Sequence, residues 1–322
     1  MNSFLLLLFP ALFVLELGYY FIARRTGIGA EVCERSSHTR FTPTGGGIIF
    51  ALAVLIWGVF AQIHGTLPPA WWWMLGGTAV LASVSLADDI HPMPPTPRLL
   101  LQIVVVALVY KQFCYPEAID IYILLLFCGV GCINAFNFID GIAGMLTLMS
   151  LVVVGTLIYA LHEANFDGDE VYIALCCVLF VSLLVFACFN LPDKIFAGDA
   201  GAMTLGFVVG YILLNLILHT RDASYSILIL VLVFDTGMTT LQRLFAGHNI
   251  LLPHRQSIYE VLTSSWKLPH LTVSIIYALL QLLISVLYFS LPESQRWTYF
   301  IMVLALLIVS YFEIRRSPRS NE

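Results

Sequence analysis

Charge is what this chain has least of. Of 322 residues, 15 are basic and 20 acidic, together 11% of the chain, where a soluble protein carries roughly a quarter. That scarcity argues against a soluble globular fold. The net charge of −5 argues against nucleic acid as a partner, because a phosphate backbone selects basic surfaces. Neither a Walker A sequence nor GxGxxG is present, so nucleotide hydrolysis as an energy source has no support. Zinc spacing is missing too. The seven cysteines are odd in number, and Cys128, Cys132, Cys176, Cys177 and Cys188 lie inside apolar runs, which reads as small core residues rather than disulfides. Internal repeats and low-complexity segments are also missing.

What is abundant is apolar sequence: 60% of the chain is hydrophobic and the mean hydropathy is +0.91. Such an average requires many long apolar segments. Eleven are marked, at 3–22, 46–63, 70–87, 98–114, 119–138, 142–161, 171–190, 201–218, 224–241, 271–291 and 297–314. The second, third and fourth are short or flanked by proline, so ten spans is the rival count. The expected fold is an all-α, polytopic membrane protein of ten or eleven helices, one domain over 1–322. The first stretch has no basic residues before it and Arg24 and Arg25 after it, so it is expected to be a retained helix and not a cleaved signal. With eleven spans, twelve of the 15 basic residues fall on one side, and only Lys111, Arg221 and Arg296 on the other. The positive-inside rule then places the N-terminus outside and the C-terminus in the cytoplasm.

The polar residues crowd the cytoplasmic ends of the spans. Asp88 and Asp89 close the third stretch as adjacent carboxylates, suited to a metal or to a poised base, with Arg98 the first cation after them. In NAFNFID, Asn134, Asn137 and Asp140 recur every three residues, so a helix carries them as one polar stripe. Asp199, within GDAG, opens the eighth stretch. As an N-cap it would have a purely local role; grouped with Asp88, Asp89, Asp140 and Asn137 it completes an oxygen-only donor set, which favours Mg²⁺, with Mn²⁺ the alternative. His254 and Arg255 share a loop with Arg243 and His248, and guanidinium and imidazole groups match phosphate oxygens. TPTGGG (42–47) offers backbone amides that could meet a phosphate. Two acids lie within spans, Glu16 and Asp235; Asp235 is expected to anchor Arg243 or a neighbouring helix.

Taken together, TPTGGG, ADD, NAFNFIDGIAG, FAGDAG and the HR loop, spread over 35–260, resemble the polyprenyl-phosphate N-acetylhexosamine-1-phosphate transferases, glycosyl transferase family 4. RSSHT and DTGMTTLQR (235–243) are most similar to the branch that initiates O-antigen or capsule chains on undecaprenyl phosphate. The resemblance implies transfer of a HexNAc-1-phosphate from a UDP-sugar to undecaprenyl phosphate, with release of UMP, in the bacterial inner membrane. It implies Mg²⁺ held by Asp199 and Asn137. Asp88 or Asp89 would deprotonate or orient the lipid phosphate, Arg40 and Arg98 would receive it, and His254 and Arg255 would grip the donor diphosphate. Asp140 would position the uridine or support the metal, and Asn134 would contribute to substrate binding. A homodimer is compatible with all of this. The chain departs from the family pattern at Thr44, Ser257 and Glu260, where relatives often carry a basic residue, a histidine and a glutamine. A secondary transporter and a catalytically altered family member are the competing readings; the transporter requires polar groups near the bilayer midplane. A CDP-alcohol phosphotransferase would need a compact run of aspartates that this chain lacks.

Overall fold

The computed structural model describes residues 2–30, 41–111, 119–249 and 256–316. Each of the eleven apolar stretches forms a helix: α1 (Asn2–Thr26), α2 (Ile48–Ile63), α3 (Trp71–Ile90), α4 (Pro95–Tyr110), α5 (Ile119–Ile139), α6 (Met145–Ala164), α7 (Asp169–Asn190), α8 (Gly198–Thr220), α9 (Leu230–Phe245), α11 (His270–Ser290) and α12 (Glu293–Arg316). A short helix, α10 (Ile258–Ser264), lies between α9 and α11. A 3-10 segment, Ala223–Ile229, leads into α9, and the two form one apolar unit. Beside the helices, Gly29–Ala30 (β1) pairs antiparallel with Thr42–Pro43 (β2), Gly29 opposite Pro43.

Among the described residues, eight helical segments are long and apolar enough to cross a membrane. The protein is therefore a multi-pass membrane protein. Of the eleven marked stretches, the three outside that group are α2, α3 and α4, those marked as short or proline-flanked. At 1.5 Å per residue, the 16 residues of α2 and of α4 reach about 24 Å, short of a hydrocarbon core of about 30 Å. α3 is 20 residues long, but its last turn holds Asp88 and Asp89.

Helix boundaries follow local chemistry. α4 starts on Pro95, whose missing N–H is no loss in a first turn. α10 opens with a capping box: the Ser257 side chain accepts from the N3 backbone while Glu260 accepts from the Ser257 N–H. Two of the three residues that depart from the pattern of the resembled family, Ser257 and Glu260, thus form one local device.

α8 is the central helix, packed by α3 and α5 and also by α2 and α6. Its residues are buried almost throughout, from Ala200 to Phe207 and on to Leu216. α1 and α12 are the opposite case, with Leu6, Leu7, Phe21, Leu306 and Val309 exposed. In water such surfaces would be a liability; against acyl chains they have no cost.

Candidate active site

Asp88 and Asp89 follow each other on α3, and adjacent helix positions point about 100° apart. They therefore meet different partners. Asp88 is buried; its Oδ1 accepts the Met93 N–H and its Oδ2 the Arg98 guanidinium. Arg98, in the first turn of α4, also donates from Nη1 to Asp199 Oδ2 on α8, so one cation joins three helices.

Asp89 turns toward the start of α8, where its two carboxylate oxygens accept the Asp199 N–H at 2.9 Å and the Ala200 N–H at 3.1 Å. No side chain of α8 caps its own N-terminus; a carboxylate from α3 does so, where the free amides and the helix dipole favour negative charge. Asp199 is thus not the cap of its helix. Its side chain is left for Arg98 and for Asn137, whose Nδ2 donates to Asp199 Oδ1 at 2.7 Å. Gly198 makes the approach of Asp89 feasible: its φ is +68°, and a Cβ there would lie 2.5 to 2.6 Å from the Asp89 oxygens.

Asp140 follows α5 in the turn and accepts the Gly198 N–H. Its carboxyl is held well above the usual carboxylate range, first by burial and then by the charges of Asp89 and Asp199. Four acids from α3, the α5 turn and α8 are thereby brought together with Asn137 and Arg98.

Asn134 belongs to helix packing instead. Its amide donates to Gln102 Oε1 at 2.7 Å and to the Val130 carbonyl at 2.8 Å, joining α5 to α4. The polar stripe therefore divides: its last two members reach the acidic cluster, and its first holds a neighbouring helix. TPTGGG also differs from expectation. The Gly46 and Gly47 amides donate to the Phe196 and Ala197 carbonyls, both at 3.0 Å, and Phe196 N–H returns to Pro43 O at 2.8 Å. These amides bind the FAGD segment and are not turned toward a phosphate. Asp235 anchors neighbouring helices, α10 through the Ile258 N–H and α11 through Tyr277, and Arg243 donates to the Asn249 carbonyl. Glu16 is buried in α1 close to where a Gly46 Cβ would lie, with no hydrogen-bond partner among the described residues. Arg40, His254 and Arg255 lie outside the described residues.

Whether a divalent ion suits this cluster is decided by donors and charge. Among the described residues, no three acids, histidines or cysteines form a ready-made cage. Mg²⁺ does not need one, since it is held by one or two carboxylates together with substrate phosphates and water. Asp88 and Asp199 already converge on a single cation, Arg98, and Asn137 touches the same carboxylate. The donor set fits. Sequence reading missed the roles of Gln102 and Tyr259, since a lone glutamine and a lone tyrosine in apolar helices carry no motif. Tyr259 Oη donates to the Phe138 carbonyl at 2.7 Å, beside Asn137.

Fold and site together define a class: a polytopic helical membrane protein with a half-buried acidic cluster joining several helices. Residues 71–217, which hold all four acids, Asn137 and Arg98, match the model of glycosyl transferase family 4, the family that the motifs resemble. A probable undecaprenyl-phosphate N-acetylglucosaminyl 1-phosphate transferase of Bacillus subtilis is 24% identical over 311 residues, 89% of this chain and 84% of that protein. A phospho-N-acetylmuramoyl-pentapeptide-transferase of Streptococcus uberis is 29% identical over 62% of this chain and 66% of its own length. An undecaprenyl-phosphate alpha-N-acetylglucosaminyl 1-phosphate transferase of Escherichia coli K12 is 30% identical over 44% of this chain and 40% of its own length.

Proposed function

We propose that the protein transfers a HexNAc-1-phosphate from a UDP-sugar to undecaprenyl phosphate, giving the undecaprenyl-diphosphate sugar and UMP, and so starts an envelope polysaccharide such as O-antigen. One observation carries this reading: within the matched segment, four acids gather and two of them, Asp88 and Asp199, share a single guanidinium. A cluster so negative would repel a diphosphate and a lipid phosphate, so binding both requires added positive charge. The names of the three relatives point to the same reaction class.

Asp199, Asp88 and Asn137 would hold Mg²⁺; when bound, the ion supplies neutralisation of charge on the donor diphosphate. Asn137 fixes the Asp199 carboxylate in place. Arg98, freed from one of its two carboxylates, becomes a cation for the acceptor phosphate. Asp89 keeps the α8 terminus closed and so fixes where Asp199 stands. The acceptor phosphate oxygen would attack the donor's β-phosphorus as UMP leaves, with Asp88 or Asp89 orienting or deprotonating that phosphate and Asp140 supporting the metal or the uridine. His254, Arg255 and Arg40 would add phosphate contacts. The site then faces the cytoplasm of the bacterial inner membrane, where UDP-sugars are found.

The test is a panel of UDP-HexNAc donors, 6-deoxy sugars included, incubated with purified protein, Mg²⁺ and undecaprenyl phosphate. UMP release that depends on the lipid is expected for at least one donor. No UMP from any of them would overturn the reading.

A further inference from the structure

The motif DTGMTTLQR is left without work by the chemistry above, yet the carboxylate of its first residue accepts three hydrogen bonds. Asp235 on α9 is 3% exposed. Its Oδ1 accepts the Ile258 N–H at 2.8 Å, and its Oδ2 accepts the Tyr277 hydroxyl of α11 at 2.8 Å and the Tyr259 N–H at 3.4 Å. Asp235 thus holds the first turn of α10 from outside that helix. From that turn, Tyr259 reaches across to donate its hydroxyl to the Phe138 carbonyl at 2.7 Å, between Asn137 and Asp140. The fit is close, since a Cβ on Gly141 would collide with the Tyr259 ring. α12 holds the same junction, through Arg315 donating to the Gln256 carbonyl.

We propose that Asp235 and Tyr259 are positioning residues: Asp235 fixes α10, and Tyr259 uses that fixed helix to clamp the turn that carries Asn137 and Asp140. The inference rests on the transfer reaction proposed above only for its kinetic consequence. The chemistry is that of over-determined geometry. The last carbonyls of a helix have no partner within it, and the α5 end would fray without one. A misplacement of about 1 Å at a reacting group can cost about a hundredfold in rate.

The test compares full-length Tyr259→Phe, Asp235→Asn and, as a control on the same helix, Ser264→Ala. Two readouts are needed, amide hydrogen exchange in detergent and steady-state kinetics. Tyr259→Phe removes one hydroxyl and leaves the ring, so folding is not at stake. Exchange at residues 138–142 is expected to rise about five- to tenfold, the worth of one hydrogen bond, while α6 is unchanged. kcat is expected to fall by at least the same factor, with the KM for the UDP-sugar within twofold. Asp235→Asn is expected to act the same way, and Ser264→Ala to change neither readout. Unchanged exchange at 138–142 in Tyr259→Phe would overturn the clamp. So would a loss of stability spread evenly over the molecule, or a raised KM with kcat intact. If the wild type releases no UMP, the transfer reading fails by itself, while the exchange measurement still decides the clamp.

Discussion

Four carboxylates that look equivalent in the sequence have four different surroundings. Asp88 shares Arg98 with Asp199, Asp89 closes the α8 terminus, and Asp140 accepts the Gly198 amide. These differences lead to separable outcomes. Asp199→Asn is expected to lower UMP release at least a thousandfold at full folding, because it removes a charge that the reaction needs and little volume; electrostatic groups of this kind contribute about 10²–10³ or more in kcat. A variant with near wild-type turnover would contradict that placement. Asp89→Ala has a different signature. Loss of a capping carboxylate costs about 0.5–2 kcal/mol, so its thermal unfolding midpoint in detergent is expected to drop along with activity, whereas that of Asp199→Asn holds. That Asp88, Asp89, Asp140 and Asp199 gather was legible from their common position at helix ends. Which of them meets a cation and which meets a helix terminus was not, because that depends on a rotation of about 100° between neighbours and on the docking of α3 against α8.

Among elements, the contact of TPTGGG with FAGD decides the geometry of the site. Two glycine-rich segments exchange backbone hydrogen bonds, which brings α2 and α8 into close approach at Gly47 and Gly201, where a Cβ on Gly201 would lie 2.6 Å from the Gly47 Cα. Read alone, a glycine-rich turn is equally a phosphate cradle and a packing surface. Only the partner segment, some 150 residues away, distinguishes them. Gly198→Ala is expected to be more damaging than its size suggests: it places a side chain at φ +68° and against the Asp89 carboxylate, at about 1–3 kcal/mol for the backbone alone. Measured unfolding midpoints should fall and turnover should be lost together; an active, fully stable Gly198→Ala protein would show that Asp89 does not sit on that terminus. Helix existence was legible throughout from apolar length, since all eleven marked stretches are helices. The short α10 was not, since a seven-residue helix made by a capping box and by Asp235 from α9 leaves no apolar periodicity to read.

At the scale of the whole molecule, the distribution of charge separates a transferase from a transporter. The acidic cluster is built from the end of α3, the start of α4, the end of α5 and the start of α8, and not from the middle of any span. A midplane site would be needed for alternating access. With the basic residues distributed as they are, a fluorescent reporter fused to the C-terminus is expected to fluoresce, as it does only in the cytoplasm; a dark fusion that is active as a periplasmic reporter would reverse the orientation. The scarcity of charge first indicated only that the surroundings are lipid. Its placement accounts for more: apolar side chains are exposed on α1 and α12, while the polar ends of α3, α4, α5 and α8 gather where, in the proposed reaction, a lipid-borne phosphate and a water-soluble donor would meet. The most direct test follows both products of one reaction. Purified protein, Mg²⁺, undecaprenyl phosphate and the accepted UDP-HexNAc should yield UMP and undecaprenyl-diphosphate-HexNAc in equal amounts by mass spectrometry, with both lost on chelation. UMP without the lipid product, or equal yields in the presence of excess chelator, would contradict the metal-assisted transfer proposed for this site.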